Sequence, residues 1–236
     1  MPRPLAIQSS ISQSIAIIAL HLCLSATAAP ARIVLLDPGH DPQRPGICRL
    51  ERCEAELSYD LALRIQHQLH NQPSLTVRLT RRRDEPLPPE ARIANANAAH
   101  GDLFLSLHAV PAASTVGGAI IRLGSSLLNP VATRADTRIA NSWVSVAEHH
   151  NPQSDQLSEL LLFFLNQPPT DFRLRQRQLP ANILVGLDMP GLLLELPVSD
   201  DSAASLQRTS IAIAKGIQSY LGTSNAHRSY DDAEQE

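Results

Sequence analysis

Four side chains stand where they could do chemistry together: His40, Glu54, His108 and Glu195. His40 follows a short apolar run, Ile33 to Leu36, through the turn Asp37-Pro38-Gly39, and His108 ends a second run built on Leu103, Leu105 and Leu107. Glu54 heads an amphipathic stretch, and Glu195 interrupts the apolar segment Gly191 to Val198. Two imidazoles and one carboxylate are a three-ligand set suited to catalytic zinc, which keeps a fourth position for water. The second carboxylate is then free to accept the water's proton and deliver it to a leaving nitrogen. Glu195 lies in a segment apolar enough to be buried, where an ionised carboxylate needs a compensating partner. An ion pair with Arg81 or Arg92 is the structural alternative for Glu195, as a favourable helix N-terminal charge is for Glu54. Asp37 suits either orientation of a ligand ring or ordinary turn chemistry.

The elements that must position these groups alternate short apolar runs with longer amphipathic ones, the pattern of an α/β domain with a mostly parallel central sheet flanked by helices. Strands are expected at Ile33 to Leu36, Leu75 to Leu79, Leu103 to Leu107, Gly118 to Leu123 and Gly191 to Val198. Leu57, Leu61, Ile65 and Leu69 recur every four residues, which predicts a helix from Glu54 to about Asn71 or Pro73. Further helices are expected over Pro88 to Ala99, over much of 130 to 166 with a break at Asn151-Pro152, and over Ser202 to Tyr220. In open α/β sheets, functional groups gather where parallel strands end, and His40 and His108 stand at such places.

The chain has 236 residues with 18 Pro and 10 Gly, which fits one globular domain rather than a low-complexity chain. A net charge of −3 and few aromatics argue against nucleic-acid binding. Residues 1–28 read as a cleaved secretory signal, with Arg3, an apolar run from Ile11 to Leu24 and the small-residue site Ala26-Thr27-Ala28. No later stretch approaches the ~20 apolar residues that a membrane span needs, so no stable membrane insertion is expected after cleavage. Residues 29–222 then form the domain, and 223–236 a mobile polar tail. Cys48 and Cys53 remain after cleavage, and in an exported chain a disulfide is favoured over metal ligation.

Several blocks appear in a telling order: Leu36-Asp37-Pro38-Gly39-His40; Glu54 at a helix start; Leu79-Thr80-Arg81 with Asp84; Arg92-Ile93-Ala94-Asn95; Asp102 to Ala109; and Met189 to Glu195. Together they resemble the zinc-dependent N-acetylmuramoyl-L-alanine amidases of the type-3 catalytic domain, over about Ile33 to Tyr220. The resemblance implies one zinc ion held by His40, Glu54 and His108, with Glu195 as the catalytic glutamate. It also implies hydrolysis of the amide between N-acetylmuramic acid and L-alanine in peptidoglycan or muropeptides, in the periplasm or outside the cell. Glu51 and Glu56 share the window, and Glu54 best follows the family's helix, with Glu56 next. The rivals to this reading are a non-catalytic muropeptide-binding regulator on the same fold and a zinc peptidase acting within the stem peptide.

Asp41-Pro42 replaces the family's usual glycines after the first histidine, and Pro197-Val198 and Ser199-Asp200 replace its usual residues after the catalytic glutamate. In some relatives a helix occludes the zinc until a protein partner removes it; here such a helix would fall near 150 to 168, with Glu159 as the plug. No activating partner can be named from the sequence. His67 and His70 read as a solvated face, and His100, His149 and His150 as helix-end residues.

Overall fold

The hydrophobic alternation of the first strand sorts its side chains onto two faces, and the whole domain follows from that division. In the computed structural model, which describes residues 31–49, 51–111, 117–123, 145–170, 172–199 and 202–233, β1 (Arg32–Pro38) sends Val34 and Leu36 to one face. Leu35 goes to the other. A two-residue ribbon, β2 (Cys48–Arg49) with β3 (Arg52–Cys53), leads into α1 (Glu54–Leu69). β4 (Leu75–Leu79), α2 (Pro89–Ala98), β5 (Leu103–Pro111) and β6 (Gly118–Leu123) follow. After a helical turn at 145–149 come α3 (Asn151–Leu165), β7 (Leu174–Leu179), a 3-10 turn (Asn182–Leu184), β8 (Gly191–Val198) and α4 (Ser202–Ala233).

The strands form a six-stranded sheet in the order β4-β1-β5-β8-β6-β7. The pairs β1/β4, β1/β5, β5/β8 and β6/β7 are parallel, and β6/β8 is antiparallel. Leu57, Leu61 and Ile65 of α1, Leu157 and Leu161 of α3, and Ile213 and Ile217 of α4 join Leu105, Leu107, Leu192 and Leu194 in one core. The second core holds Leu35, Phe104, Ile121 and Leu193 with Ala96 of α2 and Ile183 and Leu184 of the 3-10 turn. The sheet is thus covered on both faces, as a largely parallel sheet requires. Among the described residues no helix is long and apolar enough to cross a membrane.

The differences from expectation are local. β5 continues past His108 to Pro111 because Ala109, Val110 and Pro111 find register partners in Leu196, Pro197 and Val198. β7, Leu-Arg-Gln-Arg-Gln-Leu, has Leu174 as its single buried residue and pairs on one side, so its sequence lacks the apolar signal of an inner strand. α4 extends beyond Tyr220 to Ala233, and the last side chains described as buried along it are Tyr220 and Leu221. The expected signal segment lies outside the described residues.

Candidate active site

The site forms where β1, β5 and β8 end. The chain leaves β1 through Gly39 and turns sharply at His40, whose φ of 60° is the left-handed conformation rarely adopted by residues with a Cβ. The segment from Arg44 to Cys53 then folds back over the start of α1. Ile47 and Pro45 supply carbonyls to the amides of Glu54 and Ala55, at 2.9 and 3.0 Å, doing for the helix start what a capping side chain does elsewhere. Cys48 and Cys53 pair directly across the ribbon and are joined by a disulfide, as the cysteine count suggested. A second link ties α1 to β5: the amide of Ala109, next to His108, donates to the buried Ser58 hydroxyl at 2.9 Å.

These constraints bring Glu54 between the two imidazoles. Its Oε1 is 2.9 Å from His108 Nδ1 and its Oε2 is 3.1 Å from His40 Nε2, and its side chain is 5% exposed. The rings of His40 and His108 lie edge to face with centroids 4.8 Å apart. One ligand atom from each of the three residues lies within 4.8 Å of the others. Glu56 is exposed and pairs with Arg52, and Glu51 is exposed, so of the three glutamates in that window it is Glu54 that lies between the histidines. Burial would push the Glu54 carboxyl upward, but the hydrogen bonds and charges of His108 and His40 outweigh it and hold the group well below the usual carboxylate range.

His40 tests whether a cation fits here. Its Nδ1 meets the Arg44 carbonyl at 3.1 Å while its Nε2 meets the Glu54 carboxylate. A neutral imidazole has a single N–H and both neighbours are acceptors, so one contact needs a further proton or a metal ion. With Nδ1–H donated to the Arg44 carbonyl, Nε2 is free to coordinate, the arrangement usual for a metal-bound histidine. Two glycines allow this packing. A Cβ on Gly39 would stand 2.6 Å from His108 Nε2, and one on Gly46 would stand 2.7 Å from Glu54 Oε2.

Glu195 lies elsewhere than its apolar surroundings suggested. It is exposed, and no described residue hydrogen-bonds or ion-pairs with its side chain, so neither burial nor an ion pair with Arg81 or Arg92 accounts for it. Leu192, Leu194 and Leu196 take the buried positions, and Glu195 faces the opposite side with Leu193. It is the register partner of His108 across β5 and β8, so the two side chains leave adjacent strands on the same face.

Asp37 also departs from expectation, contacting neither histidine. Fully buried, it accepts from Thr80 Oγ1 at 2.5 Å, Ser106 Oγ at 2.8 Å and Arg92 Nη1 at 3.2 Å. It therefore ties the end of β1 to the end of β4, to β5 and to α2. Thr80 and Ser106 stand within the blocks that carry the resemblance, but no chemical role attaches to either from the sequence. Asp41 is 1% exposed; burial raises its carboxyl, but hydrogen bonds and the charge of Arg44 lower it further than burial raises it. His67 and His70 are exposed and stack on each other, and exposed Glu159 sits on α3, whose other face is in the core beside α4, away from the site.

A cavity of about 280 Å³ opens on this face, lined by His40, His108, Arg44, Arg92 and Ser106 and walled by Pro89, Ile183 and Leu193. A larger one, about 480 Å³, lies at the opposite strand ends beside Arg32, Asp102 and Pro190, and offers no comparable ligand set.

A model of the N-acetylmuramoyl-L-alanine amidase family matches residues 34–223. The chain belongs to this family. Over 78 residues, 33% of the chain, it is 30% identical to N-acetylmuramoyl-L-alanine amidase AmiC of Escherichia coli O6:H1, of which the match covers 19%. Over 76 residues, 32% of the chain, it is 36% identical to N-acetylmuramoyl-L-alanine amidase LytC of Bacillus subtilis, of which 15% is covered. The amidase-family chain thus spans under a fifth of the length of these two relatives. Its fold is similar to that of the amidase AmiC2 of Nostoc punctiforme, with a TM-score of 0.57 and 20% identity over 81% of this chain and 97% of that one. Cwp6 from Clostridium difficile shares the fold at a TM-score of 0.59 and 17% identity, over 82% of this chain and 30% of that one.

Proposed function

We propose that this chain is a zinc-dependent hydrolase of the amide between N-acetylmuramic acid and L-alanine in peptidoglycan, working in the periplasm or outside the cell. The observation that carries the reading is the Glu54 carboxylate set between the imidazoles of His40 and His108. In this reading His40, Glu54 and His108 hold the ion, residues 29–222 are the catalytic domain and residues 1–28 are an export signal. The Cys48–Cys53 disulfide supports an oxidising compartment.

Bound zinc supplies the Lewis acidity that acidifies a water and polarises the substrate carbonyl. The chain's own residues do the rest. The Arg44 carbonyl fixes the ring of His40, and Gly39 leaves room for that of His108. Glu195, open to the solvent on the face of His108, takes the proton of the attacking water on its carboxylate and returns it to the leaving nitrogen. Pro89, Ile183 and Leu193 give the cleft an apolar wall against which the substrate lies.

Glu195→Ala assayed beside the parent protein tests this. Zinc content should be retained while muropeptide cleavage falls by a factor on the order of 10² to 10⁴. Full activity in that variant removes Glu195 from the reaction. Product masses showing glycan freed of a whole stem support the amidase, and shortened stems still attached to glycan identify a peptidase instead.

A further inference from the structure

Arg92 is the group in the cleft that the chemistry above leaves unused. Its side chain is 6% exposed, and all its hydrogen bonds run through one nitrogen, Nη1, to Asp37 Oδ1 at 3.2 Å, Asp37 Oδ2 at 3.4 Å and the Pro38 carbonyl at 3.2 Å. Its Nε is buried with no acceptor. A guanidinium offers five N–H donors in a planar fork, so the Nε–Nη2 edge, the one shaped for a two-oxygen acceptor, is left without a protein acceptor among the described residues. A buried charged donor without an acceptor is costly, which makes this edge the place for a ligand oxygen.

Arg81, 3% exposed, directs its guanidinium to the carbonyls of Pro38, Gly39, Ala55, Arg82 and Arg83 and touches no carboxylate. Asp41 is taken by Arg44 at 2.9 Å, and Glu54 by the imidazoles. Around the turn at Pro38 and Gly39, therefore, the guanidiniums of Arg44, Arg81 and Arg92 meet just Asp37 and Asp41 as carboxylate partners. Arg44 and Arg92 both line the cleft; Arg44 is largely exposed, and Arg92 is the buried one, with a nitrogen that has no protein acceptor.

We propose that Arg92 determines specificity by gripping a carboxylate in the peptide part of the substrate, namely the α-carboxylate of the residue that follows L-alanine. The inference rests on the amidase reading. Arg92 lines the same cleft as His40 and His108, and that carboxylate lies about 7 Å along the peptide from the scissile amide.

The test compares N-acetylmuramoyl-L-alanyl-D-glutamate with N-acetylmuramoyl-L-alanyl-D-isoglutamine, which differ in the α-carboxylate against a carboxamide. With the zinc-loaded parent protein, KM should be about ten to a hundred times higher for the carboxamide, with kcat within twofold. In Arg92→Lys, which keeps the charge opposite Asp37 but loses the planar edge, KM for the free acid should rise to the carboxamide's value while zinc content is unchanged. Equal KM values for both compounds with the parent protein overturn the inference and leave the amidase reading standing; that comparison suffices if Arg92→Lys does not fold. Cleavage of neither compound, with larger muropeptides also uncut, refutes the amidase reading and this inference with it.

Discussion

Removing the Cys48–Cys53 disulfide should loosen the metal site from a distance, and the size of the effect can be worked out. The bond joins residues 5 apart, for which the chain-entropy relation gives about 2 kcal/mol of restraint on the open chain. The restrained segment is the one that places Glu54. Ile47 donates its amide to Glu54 Oε2 at 3.3 Å, the Ile47 and Pro45 carbonyls receive the first amides of α1, and Gly46 packs on the carboxylate. If every bit of that restraint is felt as easier opening of the loop, zinc affinity falls by at most about thirtyfold. The same free energy spread over a domain of this size lowers the melting temperature by about 4 to 8 °C. The perturbation is the double substitution Cys48→Ser with Cys53→Ser, because a dithiol reductant would itself bind zinc. The assay is a zinc titration against a competing chelator, with a thermal melt of the metal-free protein alongside. A double variant that binds zinc within twofold of the parent and melts within 1 °C of it refutes the idea that this ribbon preorganises Glu54.

Other consequences are more direct. Glu54→Gln should abolish tight zinc binding, whereas Glu56→Gln, on an exposed side chain, should leave it within twofold; equal losses measured by metal content would overturn the choice of ligand. Gly39→Ala should weaken zinc binding by more than tenfold while leaving the fold intact by circular dichroism, since its Cβ would stand 2.6 to 2.9 Å from three atoms of the His108 ring; normal affinity would show that the ring can move without cost. Asp41→Asn should lower stability by about 1 to 3 kcal/mol at neutral pH. Because the folded-state value of Asp41 lies below its ordinary 3.8, its contribution is full above about pH 5 and disappears as pH falls through the folded value. Urea melts at several pH values should therefore show parent and variant converging in acid, and a gap independent of pH would sink the assignment.

How far the sequence reveals this site depends on how far apart the partners lie. β4, β6 and β8 are legible end to end because apolar runs with clear flanks decide them. The Glu54 helix is equally plain, since Leu57, Leu61, Ile65 and Leu69 recur with the helical period and all pack inward. Glu195 is exposed although its segment reads as buried, because the hydropathy of β8 sums two faces: its leucines at 192, 194 and 196 fill one core, while the glutamate belongs to the other face, where cover thins toward the strand end. For Asp37 the sequence leaves ring orientation and turn chemistry both open, yet its partners stand 43, 55 and 69 positions along the chain. No local pattern encodes such a meeting. It arises from the parallel packing of β1 beside β4 and β5.

That packing also explains how a buried carboxylate stays available to a metal among so many arginines. An arginine beside Glu54 would offer a bidentate partner and compete with a divalent ion. Arg81 comes close enough to donate to the Ala55 carbonyl at 3.3 Å, but its N–H groups are directed to backbone oxygens. Arg92 is held by Asp37 and Arg44 by Asp41. Each guanidinium near the turn thus makes its contacts away from Glu54, and the side chains that meet that carboxylate are two imidazoles, which can give up a proton to accept a metal. The buried aspartates, which touch neither imidazole ring, therefore shape the site by holding competing cations away from it.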